Sequence, residues 1–179
     1  MIQESRFKNK KGFTLIELIL YMGIFSSLLM VLVQLFGSIV TVNLESEATS
    51  AVSQDGRYML NEMTYTLRQA KTYTLPDVGT ANAGSQLQFT TAGGTTYTYA
   101  LSTAPAGQQN LLISDGSTTQ QLNSYGTKVS NVNFIRLEST PSTGTPKGTI
   151  TVSFTLTSTT RESKGSQQQT FQTTIGGRQ

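Results

Sequence analysis

The stretch Lys10-Lys11-Gly12-Phe13-Thr14-Leu15-Ile16-Glu17-Leu18 decides the fold. It joins a basic leader to a run from Leu18 to Leu44 that carries no charge. As a helix that run extends about 40 Å, enough to cross a hydrocarbon core about 30 Å thick with some tilt. Ser26, Ser27, Gln34, Ser38, Thr41 and Asn43 are its polar breaks in a background of Leu, Ile, Val, Phe and Met. The leader sets Arg6, Lys8, Lys10 and Lys11 against Glu4. Basic residues before an apolar span hold the N-terminus on the cytoplasmic side. A secretory signal would end a shorter apolar core in small residues of the Ala-x-Ala type. No such site follows this run, so the segment is expected to be retained.

Glu17 is the anomaly. It stands at the mouth of the apolar run, where an ionisable group costs free energy: about 2.5–3.5 kcal/mol at the bilayer centre and less near the interface. An intramembrane carboxylate is a functional-site candidate whose partner should be named. The plain alternative is a single-pass anchor with an interfacial Glu.

Gly12-Phe13-Thr14-Leu15-Ile16-Glu17-Leu18, after basic residues and before a long apolar run, resembles the N-terminal signature of type IV prepilins and type II secretion pseudopilins. That pattern has a leader ending in Gly, then Phe, then Glu as the fifth mature residue, which here fall on Gly12, Phe13 and Glu17. The resemblance covers about the first thirty residues. It implies cleavage between Gly12 and Phe13 by a membrane prepilin peptidase, and N-methylation of Phe13 by the same enzyme. The freed Phe13 amine would lie four residues before Glu17 in its own helix. It would also be available to the Glu17 of an adjacent subunit, where pairing would set the axial register of packed helices. The implied partners are the peptidase, other pilin subunits, an inner-membrane assembly platform, and lipid before assembly. The implied location is the inner membrane as a single-pass precursor, then a surface filament.

Composition agrees with a structural role and excludes several others. The precursor has a formal charge of +3, with 13 basic and 10 acidic residues. Four of the bases and one of the acids lie in the leader, so nine of each remain beyond Gly12. The excess is therefore no footprint of nucleic-acid binding. There is no Cys, hence no disulfide and no thiolate chemistry. There is no His, the commonest general base and metal ligand. No constellation suggests an enzyme, and no cofactor or metal is expected.

The chain divides into a leader (1–12), a membrane or filament-core helix (13–44), an amphipathic helix (45–75) and a β-rich part (76–179). Ala48, Val52, Met59, Met63, Leu67 and Ala70 recur at helical spacing. The helix is expected to continue the membrane segment, as one element from about Thr14 to Thr72, and to end before Leu75-Pro76. Beyond it Thr, Ser, Gln and Gly dominate. Leu87 and Phe89, then Tyr97, Tyr99 and Leu101 across Ala92-Gly93-Gly94, read as a hairpin. Further strands are predicted at 111–113, 129–137, 150–156 and 171–175. The resulting class is α+β, pilin-like, with the long helix packed on an antiparallel sheet of five to seven strands whose Thr-rich face is wet.

Lesser candidates have plainer readings. Ser139 to Pro146 reads as a loop tip, with O-glycan acceptance as its alternative. Asp115-Gly116 reads as a turn, because the neighbouring acids of a calcium loop are missing. Tyr97, Tyr99 and Tyr125 offer rings to nucleic acid, a partner left open, but cross-strand packing is the expectation. The segments Arg57 to Ala70 and Thr170 to Arg178 look like the minor subunits grouped with pilus assembly protein W and pseudopilin J. A major pilin, or a filament-displayed adhesive or DNA-uptake module, are the alternatives.

Overall fold

A computed structural model describes residues 12–76, 81–83, 86–103, 109–139, 147–160 and 165–176. One helix, α1 (Leu15–Arg68), is followed by nine described strands. The chain separates into two compact units, Met1–Val42 and Asn43–Gln179.

In the first unit, α1 meets none of the core. Its apolar side chains from Leu15 to Val42 are exposed, with Phe36 at 69 % and Val33 at 69 %, while Glu17 and Thr41 are half-buried. Three of the polar breaks are satisfied within the helix. Ser26 Oγ donates to the Met22 carbonyl at 2.8 Å, Ser27 to Ile24 at 2.8 Å, and Thr41 to Gly37 at 2.9 Å. A hydroxyl bonded back to its own helix needs no water, which is what a hydrocarbon surrounding requires.

In the second unit the expected stripe is buried: Ala48, Val52, Met59, Met63 and Leu67 are each at most 2 % exposed. Gly56 falls on the same stripe. The helix stops at Arg68, and the expected continuation to 75 is corrected. Residues Ala70–Leu75 are instead strand β1. The sequence Ala-Lys-Thr-Tyr-Thr-Leu alternates and is rich in β-formers. Pro76 therefore marks the end of a strand. Tyr73 fixes this corner, since its hydroxyl donates to the Leu67 carbonyl in the last helical turn at 3.2 Å.

The strands form two antiparallel sheets where one was expected. The first has the order β1, β3 (Leu87–Thr91), β4 (Thr96–Thr103), β5 (Gln109–Ser114), β6 (Thr119–Gln121). The second has the order β2 (Ala81–Ala83), β7 (Thr127–Ser139), β8 (Lys147–Ser158), β9 (Gln168–Gly176). The β3–β4 hairpin pairs Leu87 with Tyr99 and Phe89 with Tyr97, as its alternation predicts. Both sheets contribute to a single core with the helix, joining Met59, Met63 and Leu67 to Phe89 and Tyr99 on one side and to Phe134 and Phe154 on the other.

One irregularity in β7 is set by its sequence. Val129 and Val132 are both fully buried although they are three residues apart, which strict alternation forbids. The ladder shifts register between Ser130 and Asn133, and Asn131 takes φ 51° there. The extra residue returns Val132 to the core face, at a position where Asn tolerates left-handed geometry.

Asn123, 3 % exposed, ties the end of β6 to the start of β7. It accepts from the Leu111 N–H at 3.0 Å and donates to the carbonyls of Thr127 at 2.8 Å and Ser124 at 3.2 Å. Asp55 of α1 reaches the same loop, accepting from the Ser124 N–H at 2.9 Å, from its hydroxyl at 2.7 Å, and from the Thr127 hydroxyl. The sequence stripe left Asp55 off the core face, and that is where it does its bonding.

Candidate functional site

Gly12, Phe13 and Thr14 precede the helix, and Leu15 is its first residue. Thr14 closes the helix start. Its carbonyl accepts from Leu18 N–H at 3.2 Å, and its hydroxyl accepts from Glu17 N–H at a long 3.4 Å. Thr14-x-x-Glu17 has the spacing of a capping box, in which the N-cap hydroxyl satisfies a first-turn N–H. Glu17 is the acid of that first turn, where the helix dipole favours a negative charge. The geometry thus gives Glu17 a role within its own chain. The cap was not read from the sequence, although Thr followed three residues later by Glu was the available signal.

The three residues singled out from sequence therefore lie together, in and just before one helical turn. Phe13 is 76 % exposed and meets Tyr21 edge to face, with ring centroids 6.3 Å apart. A Cβ placed on Gly12 would meet nothing within 4 Å. The Gly12–Phe13 bond is non-helical and open to an enzyme. Behind it, α1 is long and apolar enough to cross a membrane.

The lesser candidates fall as follows. Asp115 makes a turn: it accepts from the N–H groups of Ser117 at 2.8 Å and Thr118 at 2.7 Å, and Gly116 takes φ 89°. Those donors, Thr118 first, hold its carboxyl below the usual range. Tyr97 and Tyr99 pack on Phe89 with centroids 5.7 and 6.1 Å away, while Tyr125 is 84 % exposed. The loop tip at 140–146 and Arg178 lie outside the described residues. Among the described residues no group of three acidic, His or Cys side chains is placed to hold a metal.

Residues 7–33 match the family model of the prokaryotic N-terminal methylation motif. No curated protein and no solved structure matches the chain. The matched segment contains Gly12, Phe13 and Glu17 and runs on into the exposed apolar helix. The chain thus carries the prepilin-type N-terminal methylation motif, which supports a type IV pilin- or pseudopilin-like protein with a membrane-anchored precursor.

Proposed function

We propose that this protein is a structural subunit, of minor type, of a type IV pilus-like filament. The observation that carries the reading is the methylation motif at residues 7–33 set on a helix whose apolar side chains up to Val42 are exposed among the described residues. Such a surface needs lipid before assembly and neighbouring helices after it. In this reading prepilin peptidase cuts between Gly12 and Phe13 and methylates the new Phe13 amine. The subunit leaves the bilayer through the assembly platform and packs by α1. Glu17 then receives the Phe13 amine of an adjacent subunit, and the pair fixes axial register. In the uncut chain that amine does not exist, and the Glu17 carboxylate has the positive end of the helix dipole, while its backbone N–H is capped by Thr14.

The test is fractionation of cells into membrane and sheared-filament pools. Wild-type protein should appear in both. Glu17→Ala should be cleaved and stay in the membrane, since removal of the charge eases bilayer insertion but leaves nothing to draw the neighbouring N-terminus into register. Equal entry of the two proteins into filaments would sink the pairing mechanism. Absence of the wild type from sheared filaments would sink the subunit reading.

A further inference from the structure

A cavity of about 420 Å³ opens within the 43–179 unit, between the helix and the strands β3 to β6. Its aromatic lining is Tyr58 and Tyr65 from α1 and Tyr97 from β4. The two helical rings are 54 % and 66 % exposed. They stand seven residues apart on one helix face, about 10 Å along the axis. Tyr97 is held from behind by Phe89, nearly parallel at an interplanar angle of 22°. The core closes without the helical pair: Tyr99 and Phe89 fill the space beneath, and Thr66 takes the Tyr99 hydroxyl. Tyr58 and Tyr65 are thus large apolar surfaces with no structural use in the fold.

The polar lining narrows the ligand. Gln69, Gln120, Glu62 and Asp115 line the cavity, and among the described residues no Lys or Arg does. The N–H groups of Thr118 and Ser117 keep Asp115 ionised at neutral pH. Anionic ligands meet two like charges and no cation. A ligand with flat C–H faces and hydroxyl edges meets ring faces, amides that both donate and accept, and carboxylates that accept. A rise of about 10 Å along the helix from Tyr58 to Tyr65 suits an extended chain of rings better than a point charge, which an aromatic cage encloses closely.

We propose that this groove binds a neutral oligosaccharide, with Tyr58 and Tyr65 as stacking platforms for alternate sugar rings of one chain and the Gln and carboxylate side chains as hydroxyl partners. The proposal does not rest on the filament reading, because every residue it uses lies beyond the methylation motif.

The test uses the full chain in a detergent without a sugar headgroup. It is presented with immobilised neutral hexose and N-acetylhexosamine oligomers, with the same oligomers carrying sialic acid, and with free spermidine as a cationic probe. Neutral oligomers should bind, and sialylated ones more weakly. Tyr58→Ala/Tyr65→Ala should lose about tenfold in affinity. Tyr65→Phe should keep binding, since it retains the ring. Both positions are exposed, so unchanged circular dichroism should show that the fold survives. Binding of sialylated oligomers in preference, binding of spermidine alone, or no binding at all would overturn the proposal. So would self-association that the double variant abolishes in a protein that ignores sugars, since the groove would then seat a second copy of the chain.

Discussion

Tyr99 shows how one buried hydroxyl links packing to pH. It is fully buried, and its phenol meets Thr66, whose own hydroxyl donates to the Glu62 carbonyl at 2.9 Å. Burial pushes the phenol above its ordinary value of 10.0, and the nearby Glu62 carboxylate adds to the rise. Tyr73 is raised in the same direction, again chiefly by burial, with Arg136 opposing. A folded-state value above the unfolded one means that the stability is fully present below about pH 10 and is lost as pH climbs toward the folded value. Denaturant midpoints should therefore fall steeply above pH 10. Tyr99→Phe should cost about 1 kcal/mol at neutral pH, through the lost hydrogen bond. It should also flatten the alkaline fall, leaving the part due to Tyr73. An alkaline slope identical in the two proteins would show that Tyr99 is not buried as described.

At the scale of elements, the closest approach in the second unit is where α1 passes β9. A Cβ on Gly56 would overlap the ring of Phe171, which is itself stacked on Phe154 with centroids 5.6 Å apart. On a free helix Gly→Ala gains about 1 kcal/mol. Here the Phe171 ring would have to leave its stack on Phe154, and Gly56→Ala should destabilise by about 1–3 kcal/mol. Phe171→Ala in the same chain should make the two effects less than additive, because the overlap disappears. Thermal or denaturant unfolding of the four proteins measures this, and a stabilising Gly56→Ala would refute the close approach. The stripe that buries the helix was legible, because Val52, Met59, Met63 and Leu67 repeat at 3.6-residue spacing whatever they pack against. The role of Gly56 gave no sequence signal, since its partner Phe171 lies more than a hundred residues away. The helix end was misread for a related reason. Pro76 is a loud local signal, whereas the switch at Arg68 depends on β1 pairing with β3, a contact local propensity does not register. The division into two sheets was hidden likewise: alternation reveals a strand, but not its neighbours. The bulge at Asn131 was visible only as an odd spacing between Val129 and Val132.

For the whole molecule, the two units answer different demands. The 43–179 unit closes its own core from helix and sheets. The 1–42 unit leaves its apolar residues to be covered from outside. The methylation motif at residues 7–33 was legible in the sequence, because Gly12, Phe13 and Glu17 stand at a local, fixed spacing. The Thr14 cap was equally local and went unread. The groove beside Tyr58 and Tyr65 was not readable, since it is assembled from a helix and strands that only the fold brings together. The central claim is that the mature chain begins at Phe13. Gly12 makes that claim cleanly testable: among the described residues nothing lies within 4 Å of a Cβ placed there, so Gly12→Val should leave the fold intact and obstruct an enzyme that must close around the bond. The direct measurement is N-terminal peptide mass spectrometry of wild type and Gly12→Val from cells that contain prepilin peptidase. The account predicts a wild-type chain starting at Phe13 with one added methyl group, and an uncut Gly12→Val precursor in the membrane. A wild-type chain starting elsewhere, or Gly12→Val processed like wild type, would contradict it.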